Sequence, residues 1–208
     1  MNRPLFAWLQ ARASAIEERR GGAERRRQLL DGLSGVVVEI GAGSGVSFAH
    51  YPTSVREVIA VEPEPCARER AVEAAQAARV PVRVVDGFAE QLPLADGSVD
   101  VAVTAGVLCS VPDQSRALAE VARVLRPGGE LRFYEHVIAN RQPKRAILQL
   151  ADRTRLWPTI AGGCHVARDT TAATQAADFT IEHCEHFDFS ASAMQPNVPH
   201  ILGTARRT

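Results

Sequence analysis

The chain has 208 residues, of which 46% are apolar and 23% charged, an ordinary balance for one soluble domain with a full hydrophobic core. Lys and Arg number 24, as do Asp and Glu, so the zero net charge gives no footing to nucleic acid, an anionic membrane or a polyanionic substrate. The longest apolar runs fall far short of the roughly 18 residues that a membrane-crossing helix needs, so no membrane span is expected.

The opening "MNRPLFAWLQARASAIEE" reads as a short amphipathic helix, the start of a helical cap over residues 1–34. Arg19, Arg20, Arg25, Arg26 and Arg27 follow and are expected on a solvated helix face. Val36 to Ile40 is apolar apart from one acid and ends at glycine, the pattern of a strand buried on both faces. A second strand, Val58 to Val61, precedes the helix suggested by "PCARERAVEAAQAAR", and "VPVRVVDG" and "SVDVAVTAG" read as a third and a fourth, each bounded by turn residues. Asp113 can cap the next helix, in which Leu118, Val121, Val124 and Leu125 recur at helical spacing until Pro127 and Gly128 stop it. "GELRFYEHV" is a fifth strand. After a helical stretch through Trp157, "RDTTAATQAADF" is a helix capped by Asp169 or Thr170, and "TIEHCEHFDF" and "PHILGTARR" close the chain as two strands.

Strands alternating with helices pair in parallel through right-handed crossovers. The expected fold is therefore α/β, a three-layer Rossmann-like sandwich whose seven-stranded, mostly parallel sheet carries an antiparallel C-terminal edge hairpin. One domain, 1–208, divides into the cap of 1–34, a cofactor-binding core of 35–137 and acceptor-side helices and edge strands over 138–208. Ligands of such sheets bind at the carboxyl ends of the strands, which gathers the glycine loop, Glu62, Phe88, Thr104 and Glu135.

The glycine loop "VVVEIGAGSGVSF" selects among cofactors. A dinucleotide fingerprint reads G-x-G-x-x-G, but here Val46 stands at the third glycine position and Glu39 precedes the loop. A carboxylate beside a phosphate nest is electrostatically awkward, whereas a cofactor carrying an ammonium and a sulfonium favours it. Glu62, at the end of the second strand, stands where an acid accepts hydrogen bonds from both ribose hydroxyls.

With "VVVEIGAGSG", "VIAVEPEP", "VVDGFAEQLPLADGSVDVAV" and "EVARVLRPGGELRFYEH" in order, residues 35 to 137 resemble the class I S-adenosylmethionine-dependent methyltransferases. The resemblance implies S-adenosylmethionine as cofactor. Gly41, Ala42 and Gly43, with Glu39 nearby, would line its methionine and ribose portion, and Glu62 and the following Pro63 its ribose diol. Phe88 and Ala89 would border the adenine, and Thr104 and Ala105 would lie under the sulfonium. Many relatives carry an adenine-binding Asp where this chain has Phe88; the preceding Asp86 could stand in for it, although a residue so placed more often faces a turn amide.

The acceptor is read from the rest of the chain. After the fourth strand, "TAGVLCSV" lacks the Asn/Asp-Pro-Pro-aromatic box of enzymes that methylate adenine or glutamine nitrogens. "GVLCSVPDQ", "GGCHVARDT" and "PHILGTARR" resemble the methyltransferase-like protein 7 group of alkyl-thiol S-methyltransferases and its soluble bacterial relatives, without the animal proteins' hydrophobic anchor. That implies a small-molecule thiol acceptor; a quinone-like carbon or a phenolic oxygen is the alternative. His136 and His165 are the candidate bases, since both fall where the cleft is expected. Phe6, Trp8 and Trp157 are expected to pack a lid over the acceptor.

Cys66, Cys109, Cys164 and Cys184 are scattered, with no Cys-x-x-Cys pair and no secretory signal, so neither a zinc site nor a disulfide framework is indicated and a reducing, cytoplasmic compartment is expected. Cys109 and Cys164 are read as small buried hydrophobes in preference to a methyl relay or an arsenic(III) site. A monomer is expected.

Overall fold

A computed structural model describes residues 18–160, 163–190 and 197–208. The predicted N-terminal helix, with Phe6 and Trp8, lies outside the described residues. The apolar runs form the middle of the sheet: β1 (Gly35–Ile40), β2 (Val55–Val61), β3 (Val82–Val85), β4 (Val99–Ala105) and β5 (Leu125–His136), joined at one edge by β6 (Phe179–Phe189) and β7 (Val198–Arg207). The order is β3-β2-β1-β4-β5-β7-β6. The first five strands pair in parallel, and β7 runs antiparallel to both β5 and β6. Both the seven strands and the antiparallel edge agree with the expectation.

Alternation along β1 separates the two faces of the sheet. Val36, Val38 and Ile40 pack with Ile59, Val61 and Ala102 under α3 (Gln114–Val124), which contributes Ala117, Leu118, Val121 and Val124. Val37 packs on the other face with Val58 and Ala60, under Leu29 and Leu30 of α1 (Ala23–Leu30) and Ala71 of α2 (Pro65–Gln76). Beyond β5 come α4 (Lys144–Arg153), α5 (Leu156–Ile160) and α6 (Thr170–Ala176). Among the described residues no helix is long and apolar enough to cross a membrane.

Local chemistry sets the helix ends. Glu64 accepts from the Ala67 amide at 2.8 Å with Pro65 in the first turn, and Asp113 accepts from Arg116 N at 3.0 Å. Asp169, not Thr170, caps α6, accepting from Ala172 N at 3.0 Å. One boundary differs from the sequence reading. α3 ends at Val124, before Pro127, because Leu125 pairs with Val99 and draws the "RPGG" segment into an irregular start of β5.

Gly203 marks the tightest point of the edge. It pairs with Phe133 of β5 on one side and Cys184 of β6 on the other. A Cβ there would lie 2.4 Å from the His183 carbonyl oxygen and 2.7 Å from the Phe133 ring. Gly203→Ala is expected to destabilise the protein by about 1–3 kcal/mol, read from the urea unfolding midpoint; an unchanged midpoint would show that the edge yields at no cost.

Candidate donor cavity and the wall beside it

At the carboxyl end of β1 the chain turns sharply, and the amides of Gly41 and Ala42 both donate to the Val61 carbonyl, at 2.8 and 3.1 Å. Gly41 adopts φ +66°, and a Cβ there would meet Val107 at 2.6 Å, so glycine is needed for packing as well as for the turn. Gly43, at φ +57°, has no described residue other than its chain neighbours within 4 Å of the place a Cβ would take, so its backbone is open toward the adjoining cavity.

That cavity, of about 460 Å³, is within the usual size for a small-molecule site. Among the residues that line it are Glu39, Gly41, Ala42, Gly43, Glu62, Pro63, Phe88, Ala89 and Ala105, together with Arg26, Val107, Ser110 and Val111. Thr104 does not join them. It is fully buried, its Oγ1 without a hydrogen-bond partner among the described residues, and strand alternation turns it to the opposite face from Ala105. Asp86 bonds Arg68 Nη1 at 3.0 Å and is absent from the lining, whereas Phe88 is 62% exposed at the rim.

Two acids dominate the cavity. Glu39 is 3% exposed; burial pushes its carboxyl above the usual range, and hydrogen bonds from Ser47 and Tyr51 and the charge of Arg26 pull it back. The Tyr51 hydroxyl donates to its Oε2 at 2.9 Å. Glu62 is also raised by burial, against amides that donate to its two oxygens, Glu64 N at 2.9 Å and Gly43 N at 2.8 Å. These two bonds fix the carboxylate plane and leave lone pairs for further donors.

Arg26 corrects the reading of the basic cluster as a solvated face. It is 7% exposed, bonds Glu18 and Ser47 Oγ, and lines the cavity. Its position three before Leu29 and four before Leu30 was the available signal, since those leucines are buried on the same helix face. Arg25 spans to Glu185 at 3.3 Å and lies over the Phe187 ring, whereas Arg20 and Arg27 are exposed, Arg27 paired with Glu24.

The wall on the far side of β4 is held from below by Glu135. Fully buried, it accepts from Val107 N at 3.1 Å and Cys109 N at 3.2 Å, and burial raises its carboxyl well above the usual range. Neither candidate histidine is among the residues lining the cavity. His136 points Nδ1 at Cys109 Sγ, 3.5 Å away, with its ring 4.3 Å from that of His200. His165 donates its amide to the Cys109 carbonyl at 2.7 Å and pairs Nδ1 with Asp152 at 3.2 Å. Trp157 packs on the small cluster of Cys109, Ala139, Leu148, Cys164 and Val166.

This geometry fits the cofactor implied by the sequence. Two buried acids suit a ligand with cationic ammonium and sulfonium groups and hydroxyl donors, and the same acids would repel a pyrophosphate. Residues 38–133 match the family model described as a methyltransferase domain. The mouse thiol S-methyltransferase TMT1B is 37% identical over 181 residues, covering 85% of this chain and 73% of its own. Human thiol S-methyltransferase TMT1A is 34% identical over 194 residues, covering 88% and 78%. A solved S-adenosylmethionine-dependent methyltransferase from Thermotoga maritima superposes with TM-score 0.71 at 22% identity, covering 98% of this chain and 96% of that one, and so shares the fold.

His200 gives the region a pH signature. Burial depresses its pKa to about 3, and its ring nitrogen Nδ1 bonds the Val198 carbonyl at 2.8 Å. An unfolded histidine takes up a proton near pH 6.5, so the folded state loses stability as pH falls from there toward 3. In His200→Phe, which keeps a ring against Tyr134 and Phe187, the drop in urea-unfolding free energy between pH 7 and pH 4 is expected to be smaller than in the parent protein. An equal drop would place the acid sensitivity elsewhere.

Proposed function

The chain belongs to the family of the thiol S-methyltransferases TMT1A and TMT1B, within the class I S-adenosylmethionine-dependent methyltransferases, and from that premise we propose that it methylates the sulfur of a small-molecule thiol. The observation that carries this reading is the extent of the likeness, which at 85–88% of the chain runs well beyond the methyltransferase domain match into the acceptor-side segments.

When bound, S-adenosylmethionine supplies an electrophilic methyl group on a sulfonium. The residues around it bind, align and exclude water, because in-line displacement asks chiefly for a nucleophile held about 3–3.5 Å from the methyl carbon. Glu62, fixed by two amides, would accept from the ribose hydroxyls. Gly43 would let the backbone come close, and Ala42 and Pro63 would flank the sugar. Glu39 sets a negative potential for the cationic end, and its own ionisation depends on Tyr51, Ser47 and Arg26. Phe88 and Ala89 would border the base, and Ala105, without Thr104, would form the floor under the sulfonium.

A thiol with pKa near 8.5 is a few per cent thiolate at pH 7, so deprotonation needs only modest help. His165 is the better placed to give it. Its Nδ1 bonded to Asp152 leaves Nε2 as the proton-accepting atom, whereas His136 is directed at Cys109. The scattered spacing of the four cysteines supports the reducing, cytoplasmic setting.

Incubation with S-adenosylmethionine and a panel of thiols, phenols and quinols, with products read by mass spectrometry, is expected to give S-methylated thiols; methylation of phenols or quinols alone would move the acceptor to oxygen or carbon. Glu62→Ala should weaken cofactor binding by about 1.5–3 kcal/mol, measured by calorimetry, and unchanged affinity would remove Glu62 from the ribose. His165→Ala should lower turnover more at pH 6 than at pH 9, where the thiol ionises unaided. Equal losses at the two pH values would make His165 structural.

A further inference from the structure

Three side chains on the acceptor side of the donor cavity converge without a role in cofactor binding. Cys109 Sγ lies 3.5 Å from Cys164 Sγ and 3.5 Å from His136 Nδ1, and all three atoms fall within 4.8 Å of one another. We propose that Cys109, Cys164 and His136 form a three-ligand site for a thiophilic divalent ion of the zinc(II) class. The proposal stands whether or not the acceptor is a thiol.

The spacing is that of ligands around one ion. Zinc bonds of about 2.3 Å to sulfur and 2.0–2.1 Å to nitrogen put neighbouring ligand atoms roughly 3.5–4 Å apart. A disulfide would instead need sulfurs about 2.05 Å apart and an oxidant to accept two electrons. Two thiolates and an imidazole select zinc or a softer ion over magnesium or calcium, which prefer oxygen, and two thiolates balance the charge of a dication in a buried place. Both cysteines are buried, Cys109 completely.

The surroundings resemble an outer shell that holds ligands in place. Glu135 fixes the Cys109 amide, and Ser110 Oγ lies 3.4 Å from the Cys109 sulfur. The Trp157 indole is packed against the cysteine cluster with its Nε1 buried beside Cys164, a donor suited to a metal-bound thiolate. The ligands come from three separate segments: the turn after β4, the end of β5 and the stretch after α5. An ion there would fasten together the wall that Val107, Ser110 and Val111 present to the cavity.

The full chain, stripped with a chelator under reducing conditions, is titrated with cobalt(II) and then zinc(II). One equivalent of cobalt is expected to bind with sulfur-to-metal charge-transfer absorption and the visible bands of a near-tetrahedral ion, to be displaced by zinc, and zinc is expected to raise Tm. Cys164→Ser and His136→Gln, each checked by circular dichroism for retained fold, should weaken uptake roughly tenfold or more, while Cys66→Ser and Cys184→Ser should not. Absence of uptake, equal uptake by the Cys164→Ser protein, or isolation of Cys109 and Cys164 as a disulfide would overturn the proposal.

Discussion

A carboxylate at the end of a central strand, cut off from water, must be answered by the protein around it, and Glu39 is answered from three directions. Tyr51 reaches it from beyond the short helical turn at Phe48–His50, Ser47 from the glycine loop, and Arg26 from α1. Each of the three belongs to an element that the sheet alone would not hold in place, so satisfying one buried acid orders the loop, α1 and one wall of the cavity together. Arg26 is in turn engaged by Glu18 and Ser47, which carries the constraint back to the first described residues.

Acids recur at the same edge of the sheet. Glu39 stands near the end of β1, Glu62 follows β2 and Glu135 stands near the end of β5, each held by amides or hydroxyls and each raised by burial. Glu39 and Glu62 border the cavity, whereas Glu135 faces the turn after β4 and is spent on backbone amides. The same residue type therefore serves two ends: an electrostatic preference for a cationic ligand, and a rigid seat for the loop opposite it.

Much of this was legible in the residues. The apolar runs, the glycine turn with Val46 at the divergent position, and the caps at Asp113 and Asp169 are local signals, and the sheet is built on them. Glu62 was legible because the end of β2 has a fixed relation to the loop after β1. The misplacements have physical causes. Arg26 looked solvent-facing because its burial depends on Glu18 and Ser47, which chain spacing does not bring together. Thr104 and Ala105 were paired as cavity residues although adjacent strand positions point to opposite faces. His136 was read as facing the cleft, but its register against His200 across β5 and β7 and its contact with Cys109 turn on the antiparallel edge. The meeting of Cys109 with Cys164 depends on tertiary closure and left no mark in their spacing.

The strand order at that edge bears on how the protein is made. Synthesis delivers β6 before β7, yet β6 reaches the sheet only through β7, which lies between it and β5. Until β7 emerges, β6 has no neighbour to pair with and β5 keeps an open side, so the parallel half can assemble while the edge waits. His200 and the close packing at Gly203 arrive with that strand. The environment of His136 is therefore completed late in assembly, after the glycine loop and Glu62 already have their sheet neighbours, and the two ends of the sheet have different birthdays.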